Sequence, residues 1–172
     1  MRRTTSLPIT LVIVLVVAFV AHVMQSPPRT PGEPMTGRAR VIDGDSLEIR
    51  GASFRLFGID APERDQDCRD AQRKTYACGR AALRALAAII ADRDVTCNPV
   101  DIDQYKRDVA VCTAGNVDLG EAMVRGGHAL DYPRHSRGRY AAAEREARDA
   151  GRGVWAGSFE RPTTWRQQNA TR

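Results

Sequence analysis

A chain of 172 residues is enough for one modest domain plus an anchor or tail. Its 26 basic residues against 21 acidic give a formal charge of +5, which permits an anionic partner such as nucleic acid without demanding one. Only Lys74 and Lys106 are lysines; the other basic side chains are arginines, whose planar fork of donors matches phosphate oxygens.

The chain opens "MRRTTSLPITLVIVLVVAFVAHVM", with Arg2 and Arg3 ahead of an almost wholly apolar run over residues 7–24. At about 1.5 Å per residue, that run makes a helix of roughly 27 Å, close to the hydrocarbon thickness of a bilayer. Arginines before it favour a cytoplasmic N-terminus and an outward-facing remainder. Residues 1–25 are therefore expected to be a signal anchor or a signal peptide. The exit "AFVAHVMQS" lacks an A-x-A cleavage pattern, which favours an uncleaved transmembrane anchor. The rest is then extracytoplasmic, held to the membrane or, after cleavage, secreted. "QSPPRTPGEPMTG" follows with four prolines and two glycines; it is a poor packed element, and residues 26–37 are expected to be a linker.

The folded domain is expected over residues 38–157, with a C-terminal tail over 158–172. Three strand-like runs come first, "ARVID", "SLEIR" and "SFRLFGI", the last two linked tightly through "RGAS". A polar loop leads into "GRAALRALAAIIADR", where Leu83, Leu86 and Ile90 recur at helical spacing. Two more strands, "DVTCNPV" and "DVAVCTA", flank the loop "DIDQYKR", in which Asp101 and Asp103 read as a solvated face. "NVDLGEAMVRGG" has Asp118 as helix N-cap with Glu121 as its box partner. "GRYAAAEREARDAGRGVW" is a further helix with Glu144 and Arg148 spaced as a pair, and Trp155 packs back behind it. Five short strands with a helix after the third give an α+β, mainly β domain: a closed five-stranded antiparallel barrel of the OB type with about three helices.

Cys68, Cys78, Cys97 and Cys112 all lie in this domain. An even count in an exported chain suggests two disulfides, most economically Cys68 with Cys78 and Cys97 with Cys112. Zinc is the competing reading, weakened by the absence of C-x-x-C spacing and of a histidine near a cysteine.

"RVIDGDSLEIRG" interrupts its alternating pattern with Asp43, Gly44 and Asp45, poor strand formers. Asp43 is most simply a turn residue. If the second and third strands pair through "RGAS", Asp45 and Asp60 lie towards one end of that hairpin. Two carboxylates with a turn carbonyl make a hard-oxygen site suited to Ca²⁺ or Mg²⁺. Arg55, a charged residue on a strand built for a core, and Arg107 in the loop add cationic donors. A divalent ion, a carboxylate and two arginines are what phosphodiester cleavage requires. His22, His128 and His135 have no partners at useful spacing.

"VIDGDSLEI", "FRLFGIDAPE" and "DQYKRDVAVC", in that order and spacing and with "DLGEAMVRGGHAL" downstream, resemble the three motifs of the thermonuclease family, the staphylococcal or micrococcal nuclease type. The resemblance covers roughly residues 38–155 and implies an OB barrel with three helices. It implies Ca²⁺ held by Asp45, Asp60 and the Ala61 carbonyl. Glu63 would be general base on, or positioner of, the attacking water. Arg55 and Arg107 would grip the scissile phosphate, and Tyr105 and Tyr132 would flank the nucleotide. The implied reaction is hydrolysis of DNA and RNA at the 5′ P–O bond, leaving 3′-phosphate ends, with no obligate protein partner. Ser46 replaces the family's usual threonine, Lys106 its usual glycine, and Asp108 directly follows Arg107. The alternative is a non-catalytic OB-type surface module that binds nucleic acid or glycans, free to lose Arg55, Asp60 and Glu63.

Overall fold

The computed structural model describes residues 30–169. The expected anchor over 1–25 lies outside them, and among the described residues no helix is long and apolar enough to cross a membrane. The strands are β1 (Met35–Gly37), β2 (Ala39–Val41), β3 (Ser46–Ile49), β4 (Ala52–Leu56), β5 (Ile59–Asp60), β6 (Cys68–Arg69), β7 (Thr75–Tyr76), β8 (Val95–Ile102), β9 (Asp108–Ala114), β10 (Val117–Asp118) and β11 (Leu130–Asp131). The helices are α1 (Cys78–Ile90), α2 (Leu119–Arg125), α3 (Pro133–Ser136), α4 (Ala141–Asp149) and α5 (Pro162–Asn169), with a 3₁₀ turn over Gly153–Ala156.

The main sheet runs β1-β8-β9-β4-β3-β2, with β10 paired to β9, and curls into a half-barrel consistent with an OB-like fold. Two features depart from a closed five-stranded antiparallel barrel. β4 and β9 pair in parallel, because α1 and β8 intervene and return the chain in the same direction. β1 falls at the end of the stretch 26–37 expected to be a linker and adds a strand to the sheet, laying Met35 opposite Cys97. The helices are also more numerous than the expected three, and α5 falls inside the stretch read as a tail.

The alternation in β3 and β4 is what makes the core. Leu47, Ile49, Phe54 and Leu56 are buried on one side of the hairpin and meet Val95, Ala110, Leu119, Met123 and Val124. α1 closes this side with Ala82, Leu86 and Ile90 buried, whereas Leu83 is only half-buried. Burial of a side chain the size of Leu86 contributes about 1.5–3 kcal/mol. At α2, Asp118 accepts from the Glu121 amide at 3.0 Å, the N-cap expected from the sequence.

Both disulfides form in the expected pairing. Cys97 and Cys112 face each other across β8 and β9 and are buried in the core. A loop with a sequence separation of 15 residues is worth about 3 kcal/mol when closed. Cys68–Cys78 instead ties the loop after Glu63 to the first residue of α1. It packs with Val154, Trp155 and Phe159 in a second small cluster, so Trp155 does return onto the domain.

Candidate active site

Antiparallel pairing sets Ser46 opposite Arg55, and the parallel pair sets Arg55 beside Val109. The end of β4, the start of β3 and the entry to β9 therefore meet at one edge of the half-barrel. A cavity of about 970 Å³ opens there, and Asp43, Asp45, Arg55, Ala61, Glu63, Tyr105, Arg107, Tyr132 and Arg166 are among the residues that line it.

Two buried carboxylates lie at this edge, of which Asp45 lines the cavity itself. Asp45 is 5 % exposed and Asp60 3 %. One Arg55 nitrogen lies 2.9 Å from Asp45 Oδ2 and 3.5 Å from Asp60 Oδ1, so a single guanidinium serves both. Asp45 Oδ1 also accepts from the Ser46 hydroxyl at 3.0 Å and from Arg55 Nη1 at 3.1 Å. The Ala61 amide donates to Asp45 Oδ2 at 3.3 Å, which holds that residue against the carboxylate. Burial raises the Asp60 carboxyl above its ordinary value, against the downward pull of Arg166. The interrupted strand has its explanation in packing. A Cβ on Gly44 would lie 2.7 Å from both Ala61 Cβ and Ala82 Cβ, so glycine lets the turn press against α1. Asp43 accepts from the Asp45 amide at 3.0 Å and closes that turn. Burial, and then the charge of Asp45, push its carboxyl up to about 6.

Glu63 stands on the loop beyond Asp60, and three contacts fix it. Its amide donates to Gln66 Oε1 at 3.1 Å, and Gln66 is fully buried. The first turn of α1 abuts its backbone so closely that a Cβ on Gly79 would sit 1.7 Å from the Glu63 carbonyl oxygen. Its carboxylate receives Arg166 Nη1 at 2.5 Å. Arg55 faces the aspartates, and Arg166 takes Glu63.

Arg107 reaches the same cavity from the loop between β8 and β9. Its Nε donates to Asp103 Oδ2 at 2.7 Å, and the backbone amide of Arg107 donates to Asp103 Oδ1 at 2.9 Å. Asp103 is thus no solvated loop face. Burial alone would raise its carboxyl, but the Arg107 amide and guanidinium outweigh that and lower it. Asp108, adjacent in sequence, turns away and accepts from the Gly32 amide at 3.3 Å. Lys106 has φ of 64°, the left-handed region in which glycine is at ease and a side chain is strained. Arg107 Nη1 reaches the Ser46 hydroxyl at 3.5 Å, so that hydroxyl joins the loop arginine to Asp45. Tyr105, 71 % exposed, has Arg107 over its ring at 5.5 Å. Tyr132 and His135, both lining the cavity, have their rings 4.8 Å apart and tilted at 44°.

The sequence reading missed Arg166 and Gln66. The guanidinium of Arg166 also reaches Asp60 Oδ1 at 3.0 Å. Burial would lower its pKa, yet the Glu63 and Asp60 carboxylates hold it above the usual value. Among the described residues no group of three or more His, Cys, Asp and Glu side chains is placed to hold a metal ion. The oxygen donors at this edge include the carboxylates of Asp43, Asp45, Asp60 and Glu63 and the Ser46 hydroxyl.

Comparison with known proteins follows the same residues. The family described as "Staphylococcal nuclease homologue" matches residues 53–157. The chain is 35% identical over 140 residues to "Succinoglycan biosynthesis protein ExoI" of Rhizobium meliloti, covering 80% of this chain and 73% of that one. It is 35% identical over 130 residues to "Probable staphylococcal-like nuclease CAN3" of Oryza sativa, covering 73% of this chain but only 32% of the rice protein. An "Uncharacterized endonuclease" of Escherichia coli is 29% identical over 136 residues, covering 75% of this chain and 82% of its own length.

Proposed function

The chain belongs to the staphylococcal nuclease homologue family, and from that premise we propose that it is a Ca²⁺-dependent endonuclease of DNA and RNA. The observation that carries the reading is the single cavity onto which Asp45, Glu63, Arg55 and Arg107 all open. Two arginines that line one cavity from a strand and a loop can grip one phosphate, donating to its oxygens as negative charge builds in the transition state. Arg107 exchanges Asp103 for the phosphate when substrate enters. Glu63 orients a water for in-line attack on phosphorus and takes its proton. The bond from phosphorus to the 5′ oxygen breaks, leaving a 3′-phosphate on one fragment and a 5′-hydroxyl on the other. Tyr132, backed by His135, and the exposed Tyr105 offer aromatic faces to the neighbouring bases.

The donor set fits a hard cation. Asp45 and Asp60 are buried carboxylates whose charge is already shared by one guanidinium, and oxygen donors of this kind suit Ca²⁺ and not zinc. Asp45, Asp60 and the Ala61 backbone would hold it. Once bound, Ca²⁺ supplies Lewis-acid neutralisation of the phosphoryl oxygens.

Residues 1–25 serve as anchor or signal, and the part of 26–37 ahead of β1 as tether, which puts the domain outside the cytoplasm. The two disulfides support an oxidising compartment. The test is digestion of labelled single-stranded DNA and RNA by the detergent-solubilised full chain, with Ca²⁺ and then with chelator. Cleavage with Ca²⁺, lost in Glu63→Gln with the fold intact, supports the reading. DNA retention without cleavage under any divalent cation would make the domain an OB-type binding module instead.

A further inference from the structure

The family match ends at residue 157, yet the chain beyond it is built into the site. Ser158 and Arg69 exchange two backbone hydrogen bonds, at 2.9 and 3.0 Å. Gln66 Nε2 donates to the Glu160 carbonyl at 2.7 Å while Gln66 Oε1 accepts from the Glu63 amide. This fully buried amide therefore clamps the approach to α5 onto the very loop that carries Glu63. Pro162 is buried at the start of α5, its ring suited to a first helical turn. Arg166, just over one turn on, lands on Glu63 at 2.5 Å and Asp60 at 3.0 Å. Its side chain keeps 38% exposure, so it has somewhere to move.

Three carboxylates, Asp45, Asp60 and Glu63, here face two guanidiniums, Arg55 and Arg166. Arg55 bridges the two aspartates from the sheet, and Arg166 reaches the same Asp60 Oδ1 from α5. A divalent cation on Asp60 would meet the Arg166 charge at contact distance, and two cations repel strongly in a partly dry site. Both cannot be served equally by Asp60.

We infer that Arg166 is a built-in counter-ion of the site, competing with the divalent cation for Asp60 and thereby setting the cation affinity. The inference rests on the Ca²⁺ reading above and adds a positioning residue from outside the family's matched segment. Coupling is reciprocal: whatever Arg166 subtracts from cation affinity, the cation subtracts from its hold on Asp60. Without cation, Arg166 neutralises the carboxylates and keeps the site folded. With cation, it withdraws from Asp60 and remains on Glu63, whose backbone Gln66 holds in place.

The test is Ca²⁺ binding by calorimetry, with thermal unfolding in Ca²⁺ and in chelator, on the solubilised full chain and its Arg166→Gln and Arg166→Lys variants. Arg166→Gln should bind Ca²⁺ at least about fivefold more tightly than the parent, the low end of usual couplings. It should unfold earlier in chelator and gain more from Ca²⁺. Arg166→Lys, a point charge unable to fork between two carboxylates, should fall between the two. Ca²⁺ affinity that is unchanged or weaker in Arg166→Gln, while the parent binds Ca²⁺, overturns this inference and spares the cation reading. Absence of Ca²⁺ binding by parent and variants alike overturns both.

Discussion

Arg55 and Arg107 face the same cavity from supports of opposite kind. Arg55 rises from the middle of a paired strand and is held by two buried aspartates. Arg107 ends a loop whose preceding residue is strained, and pairs with a single aspartate four residues back. The first arginine is part of the wall and costs stability if lost. The second is an adjustable rim whose loss costs only function. Two arginines that open on one cavity thus differ in how the fold holds them.

The largest expected effect separates the two. Arg55→Ala strips a cation from two buried carboxylates, and removing one partner of a buried pair costs about 3 kcal/mol. Urea unfolding in chelator should show that loss, together with a fall in cleavage of about 10² or more. Arg107→Ala should lower cleavage by a similar factor of about 10². Its unfolding midpoint should stay within about 0.5 kcal/mol of the parent, as for substitutions away from buried networks. Equal destabilisation by the two would erase the distinction.

Next in size is Gly79→Ala. Its methyl has no room against the Glu63 carbonyl, and overpacking of this sort costs about 2 kcal/mol. Because α1 and the loop must part to admit it, cleavage should fall too, although residue 79 touches no substrate. A parent-like rate would show that the Glu63 loop is less rigidly seated than the contact implies.

A gain is expected at Lys106→Gly. Relief of the left-handed strain, less the extra freedom glycine gives the unfolded chain, should raise stability by about 0.5–1 kcal/mol. Differential scanning calorimetry reads this directly, and a loss of stability would mean that contacts of the lysine side chain outweigh the strain.

The smallest effect is on pH. Asp103 has its carboxyl lowered below the ordinary value, so its contribution is present above the unfolded value of 3.8 and disappears as pH falls below that. The pair with Arg107 should therefore persist through neutral and mildly acidic solution. Asp103→Asn should flatten that part of the acid unfolding curve, followed by circular dichroism, while Arg55 variants leave it in place.

The legible parts of the molecule are those set by local pattern. Alternation over "SLEIR" and "SFRLF" with the tight link "RGAS" points to the β3–β4 hairpin and to Asp45 and Asp60 at one end, and the most economical cysteine pairing is the one that forms. Arg166 left no such mark. It lies 106 residues from Asp60 in a chain full of arginines, and "PTTWRQQN" has a weak apolar stripe, so nothing local distinguishes it. Gln66 looked like one polar residue in a charged loop, and only the folded path shows that it bridges two segments 94 residues apart. Asp103 was read as solvated because loop aspartates usually are; its role depends on the way the loop folds back through two hydrogen bonds to Arg107. The parallel β4–β9 pair likewise depends on how α1 and β8 route the chain, which periodicity does not encode.

The wall and the rim meet in one reaction only if Asp45 and Asp60 hold the cation that Arg55 and Arg107 work beside. The most direct measurement is the Ca²⁺ dependence of single-stranded DNA cleavage in the parent and in Asp45→Asn. Cleavage by the parent should require Ca²⁺, and in Asp45→Asn the half-saturating concentration should rise by about tenfold or more, as for loss of a metal-site partner. Cleavage undiminished in chelator, or the same Ca²⁺ curve for both proteins, would contradict it.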